Sequence, residues 1–113
     1  MTGEVYNITT DQGSTFTLQF SIATDGTAWN LDGYSGRMQV RSSVSSSTKL
    51  LDLVSPTNIS LTSLGMVTIT VSAASMAAVP AGQFVYDFEL VSPTGNVQKI
   101  IKGAFVVLAE VTR

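Results

Sequence analysis

Apolar and polar residues alternate along much of this chain. Thr15-Phe16-Thr17-Leu18-Gln19-Phe20-Ser21-Ile22 keeps the alternation for the length of a strand. Val67-Thr68-Ile69-Thr70-Val71, Arg37-Met38-Gln39-Val40-Arg41 and Tyr6-Asn7-Ile8-Thr9 repeat it. A period of two sends one set of side chains to a core and the other to water. It predicts antiparallel sheets with one wet face each. The residues that fill these runs are Thr, Val, Ile, Phe and Tyr, which suit a pleated, half-buried surface. The predicted strands are 5–10, 15–23, 27–30, 36–42, 49–53, 59–61, 66–72, 83–91 and 97–108, the last read as two strands or as one bent by a bulge at Gly103.

Turn residues separate the runs at short spacing. Asp25-Gly26 tolerates the positive φ of a tight hairpin. Leu31-Asp32-Gly33 and Leu64-Gly65 mark two further turns, and Ser92-Pro93-Thr94-Gly95-Asn96 reads as a hairpin loop. Many short strands at this spacing point to an all-β sandwich or barrel. One segment departs from the period: Ser72-Ala73-Ala74-Ser75-Met76-Ala77-Ala78-Val79 reads as a short helical turn near 73–79. Ser72 is its N-cap, Pro80 and Gly82 stop it, and its apolar side closes one end of the core. The Ser-rich stretch 42–48 reads as a connecting loop. Nothing divides the chain, so residues 1–113 are expected to form one domain.

Composition narrows the chemistry. The 113 residues hold no cysteine and no histidine. That excludes disulfides, thiolate nucleophiles, Cys/His zinc sites and a Ser-His-Asp triad. Charged residues are 12% of the chain, about half the usual share, and the net charge is −2. No basic footprint for nucleic acid exists. No apolar run approaches the roughly 18 residues of a membrane-spanning helix, so no membrane partner is expected. The N-terminus lacks the pattern of a signal peptide, so synthesis in a cytoplasm is expected. No glycine-rich loop cradles a phosphate, and no cofactor is expected.

Among the carboxylates only Asp87 and Glu89 form a close pair. They share one face of a strand whose other face carries Phe84, Tyr86, Phe88 and Leu90. A glycosidase needs two carboxyls facing each other across a cleft. Two neighbours on a flat sheet are better explained as partners of Arg37 and Arg41 on an adjacent strand. Asp25 and Asp32 are too few oxygens for calcium and fit turn geometry. No catalytic residue and no metal ligand is therefore assigned. The candidates that remain are contact residues. Trp29 and Tyr34 flank a turn and form a candidate stacking surface for a glycan. Val5, Tyr6 and Ile8, in an alternating terminal strand, are candidates for pairing with a neighbouring chain.

A surface so poor in charge and so rich in Ser and Thr suits a chain buried among neighbours, as in a symmetric assembly. Several segments fit that picture by resemblance. They are Thr10 to Phe16, Trp29 to Arg41, Gly65 to Ile69, Pro80 to Leu90, and Gly103 to Arg113. Together they resemble, over nearly the whole chain, a family of small virion-associated proteins of tailed bacteriophages, cyanophages and prophages. The N-terminal modules of phage baseplate upper proteins are more distantly similar. The resemblance implies an immunoglobulin-like antiparallel β-sandwich. It also implies a non-enzymatic structural role in the virion, with other virion proteins as partners. It places the chain as an adaptor in the tail, baseplate or fibre base, or alternatively as a decoration (cement) protein on the capsid exterior. A homo-oligomer or symmetric assembly is expected with it. A carbohydrate-binding adhesion module is the further alternative. The family brings no catalytic residues, and with the chain ending at Arg113 no receptor-binding module is expected on it.

Overall fold

The computed structural model describes residues 4–111. The chain runs β1 (Glu4–Val5), β2 (Ile8–Asp11), β3 (Phe16–Ser21), β4 (Ala23–Thr24), β5 (Thr27–Ala28), β6 (Ser35–Arg41), β7 (Lys49–Val54), β8 (Ile59–Leu61) and β9 (Met66–Val71). It then passes through helix α1 (Ala73–Ala77) to β10 (Gly82–Val91) and β11 (Val97–Leu108). One sheet has the order β3-β9-β8. The other has β10 between β11 and β6, with β7 beyond β6 and the N-terminal strands beyond β11. This is the strand order of an immunoglobulin-like sandwich with an added strand at one edge. The all-β class and the sandwich architecture are as expected.

The two sheets meet through aromatic contacts. Across the interface Phe16 packs edge-on against Phe105 and Phe20 against Phe88, each with centroids 5.5 Å apart, and within the large sheet Tyr86 packs against Phe105 at 6.2 Å. Edge-to-face contacts of this kind add to the burial of large rings. Met38, Val40, Val67, Ile69 and Leu90 fill the space around them and are all fully buried. Each belongs to the apolar half of an alternating run, so the period of two converts directly into the core.

Helix α1 carries the chain from β9 in the small sheet to β10 in the large one. Ser72 caps it, accepting the Ser75 N–H on its hydroxyl at 3.2 Å. Met76 and Val79 are buried and close that end of the core. The Asp25-Gly26 turn has φ of 51° and 79° at its two central residues, the geometry a two-residue hairpin needs.

Four local expectations are corrected. The strand expected at 5–10 is interrupted at Tyr6-Asn7. Both of its pieces run parallel, not antiparallel, to β11. The strand expected at 15–23 ends at Ser21, and the next residues form a separate two-stranded ribbon, β4 with β5. That ribbon shortens the strand expected at 27–30 to Thr27–Ala28. The bulge in β11 falls at Ile100, between the pairs Phe88–Ile101 and Glu89–Lys99, and not at Gly103.

Gly103 has a different reason. A Cβ there would lie 2.5 Å from the Tyr6 carbonyl oxygen and 2.8 Å from Asn7 Oδ1. Asn7 Oδ1 accepts the Ala104 N–H at 3.0 Å, so a side chain takes the place of a backbone acceptor where the N-terminal strand breaks. The register is the same on both sides of the break, with Val5 opposite Lys102 and Ile8 opposite Phe105. Only a residue without a Cβ lets the Tyr6-Asn7 step come so close.

Candidate functional site

Two surfaces hold most of the residues singled out from the sequence. The first is the outer face of the large sheet. Glu89 stands directly opposite Arg37, and Asp87 opposite Gln39, because β6 and β10 pair antiparallel. Arg37 Nε donates to Glu89 Oε1. Lys99 reaches across from β11 and binds both carboxylates, Asp87 at 2.9 Å and Glu89 at 3.3 Å. The hydrogen bond to Asp87 raises the Lys99 pKa, so the ammonium stays charged. Among the described residues Arg41 meets no carboxylate, contrary to expectation. It stands opposite Val85 and donates to Gln39 Oε1 and to the Ser46 carbonyl, which fastens the serine-rich loop.

Lys99 is the residue that sequence reasoning missed on this face. Its signal was present, since a lysine in the strand after Asp87 and Glu89 lies opposite them once the hairpin at 92–96 closes. The face is a flat network of partly exposed ion pairs.

The second surface is a groove of about 380 Å³ on the open side of the sandwich. One wall is β3 and its continuation, from Leu18 through Thr24, with Trp29. The other is Glu4, Val5 and Tyr6 of the N-terminal segment, with Ile100 and Ile101 at the base. Seven consecutive residues of one wall line the groove. Alternate side chains of a strand point to opposite faces. A lining without gaps therefore means that the backbone edge itself borders the groove. That edge belongs to β3, which pairs with β9 on one side only.

The structure divides the five contact candidates. Trp29, Val5 and Tyr6 come together on the groove. Tyr34 does not line it, so the two-ring platform expected of Trp29 and Tyr34 is not built there. Between them Leu31 is buried, anchoring the turn in the core. The Trp29 indole N–H donates to Thr24 Oγ1 at 2.8 Å, which lays the ring along the β4–β5 ribbon. Ile8 is also off the groove. It is 5% exposed and belongs to the core, so its candidacy as a contact in the isolated chain is corrected. Its register explains this: Ile8 lies beside Phe105, whose ring points inward.

Tyr86 links the core to the rim of the groove. Its ring is buried and its hydroxyl donates to the Tyr6 carbonyl, holding the N-terminal segment at the point where it breaks. Burial, with a smaller contribution from Tyr6, pushes the phenol pKa up to about 12.

No family model matches the sequence, and no curated protein matches it. Among solved structures, CopC from Methylosinus trichosporium OB3b is similar in outline. The similarity covers 100% of this chain and 90% of that one, at 12% identity and a TM-score of 0.45.

Proposed function

We propose that this chain is a non-enzymatic structural protein of a phage virion. It works as an assembly or adaptor module in the tail, baseplate or fibre base, held there by protein–protein contacts. The observation that carries the reading is the long uncharged edge of β3 beside an apolar groove, in a chain with few charges anywhere. Exposed apolar side chains at Val5, Tyr6, Leu64 and Leu108 add surface suited to burial against neighbours. The resemblance of nearly the whole sequence to virion-associated phage proteins supplies the setting. On the other face, the Arg37, Lys99, Asp87 and Glu89 network favours a structural role for the one close carboxylate pair.

The test is location. Gold-labelled antibody against the chain, applied to intact particles from the producing host, is expected to mark the tail end. Label over the head exterior would replace the adaptor role by capsid decoration. Particles that carry no label, while other structural proteins are detected in them, would overturn the virion reading.

A further inference from the structure

We infer that the free edge of β3 pairs antiparallel with the same edge of a second copy, joining two small sheets into one continuous six-stranded sheet across a two-fold axis. This deepens the assembly reading above and rests on it, by naming the edge and the partner.

Proteins protect exposed sheet edges by shortness, charge, proline or interruption. Of the four edges of the two main sheets, three are protected in those ways. β8 has three residues. β7 carries Lys49 and Asp52. The N-terminal edge is broken at Tyr6-Asn7 and carries Glu4 and Asp11. β3 has six residues, Phe16-Thr17-Leu18-Gln19-Phe20-Ser21, with no charge, no proline and no register shift against β9. The space alongside it is open and apolar. Leu18, Phe20, Ile22 and Trp29 are only partly buried there, although they pack against the core. What completes the site is therefore an extended strand, since the unmet groups are backbone N–H and C=O as well as apolar side chains.

Charge selects the occupant. Glu4 stands at the N-terminal wall of the groove, but alongside β3 a charge on the groove-facing side of an entering strand would be desolvated among Leu18, Phe20 and Ile101. The strand that enters must be uncharged, at least as long as β3, and apolar at alternate positions. In this chain the edge strand of that description is β3 itself. Its pattern is self-complementary. Pairing Leu18 with Leu18 of the second copy sets Phe16 against Phe20, and Thr17 against Gln19. A shift that pairs Gln19 with Gln19 sets Leu18 against Phe20. Either register keeps every apolar residue on the core face.

The outward residues provide the test, because Thr17 and Gln19 are exposed and a lysine at either is accommodated by the folded monomer. In both registers the Thr17→Lys/Gln19→Lys variant places like charges directly opposite each other. Light scattering is expected to give the wild-type chain twice the 11.9 kDa chain mass at high concentration. The Lys variant and the matching Thr17→Glu/Gln19→Glu variant are each expected to give the single mass. An equal mixture of the two is expected to restore the doubled mass. Hydrogen exchange on the wild type supplies a readout free of mutation: amides of residues 16–21 that do not bond to β9 slow as the protein is concentrated. A wild type that stays monomeric overturns the inference. So does a Lys variant that keeps the doubled mass, or an oligomer whose β3 amides exchange at the monomer's rate. A monomer that still labels the virion overturns the edge pairing alone, and a β3-paired dimer absent from virions overturns the virion reading alone.

Discussion

Tyr86 connects the middle of the large sheet to the N-terminal segment through one hydroxyl. Tyr86→Phe removes the bond to the Tyr6 carbonyl and is expected to cost about 1 kcal/mol, the net worth of a typical intramolecular hydrogen bond. Chemical denaturation of the two proteins measures it. The same residue predicts an alkaline limb. Its phenol is held up to about 12 in the folded chain, against about 10 when unfolded. Between those values the folded state keeps a proton that the unfolded state releases, so stability falls as pH rises. The contribution is complete below about pH 10 and lost by about pH 12. Tyr86→Phe should flatten that limb in a pH series of unfolding midpoints. Gly103 makes a second prediction at this scale. Gly103→Ala drives a methyl group into the Tyr6 carbonyl, and overpacking of this kind costs about 1–3 kcal/mol. Thermal unfolding reads the loss. A local consequence also follows: faster amide exchange at residues 4–8 than in the wild type.

At the scale of elements, the N-terminal strands do two jobs with adjacent residues. Ile8 is in the core and Val5 is 71% exposed on the rim of the groove. Ile8→Ala is expected to destabilise the fold by about 2–5 kcal/mol. Val5→Ala is expected to change stability by no more than about 0.5 kcal/mol. Equilibrium unfolding of the pair separates the structural half of the segment from the half available for contact. The alternation of Tyr6-Asn7-Ile8-Thr9 made a strand legible. Its direction and its break were not, because alternation is the same for parallel and antiparallel neighbours. Parallel pairing follows from β11 returning beside the N-terminus in the same sense. The side chain of Gln12, just past β2, secures that arrangement. It donates to the Val79 carbonyl at 2.9 Å and accepts the Glu110 N–H at 3.4 Å. Those contacts span 67 and 98 residues of sequence, so no local pattern announces them.

Over the whole molecule, the paired charges are gathered on one face. Arg37, Arg41, Lys49, Lys99, Asp52, Asp87 and Glu89 all lie on the outer side of the large sheet or its β7 edge. The ion pairs are solvent-accessible, with Arg37 and Lys99 about half exposed. Pairs of this kind contribute little to stability and are screened by salt. Glu89→Gln is expected to lower stability by less than about 1 kcal/mol, and high salt should narrow the difference from wild type further. Thermal unfolding at low and high salt checks it. The three strands of the small sheet hold no charged residue, so β3 presents a neutral edge to whatever neighbour it meets.

Periodicity, turn residues and the alanine-rich segment sufficed to locate most strands, the capped helix, the Asp25-Gly26 hairpin and the inward set of aromatics. These are properties of neighbours in sequence, and their physics is local: side-chain alternation, φ preference and a single capping hydroxyl. Composition likewise removed whole classes of chemistry through the absence of cysteine and histidine. The tertiary structure alone decided which candidates meet. It drew Val5 and Tyr6 to Trp29 across the open side of the sandwich, left Tyr34 outside, turned Ile8 inward, and gave Asp87 and Glu89 to Lys99. It also decided which strand keeps a free edge. Pairing order and register depend on contacts between residues far apart in the chain, and alternation carries no label for the partner.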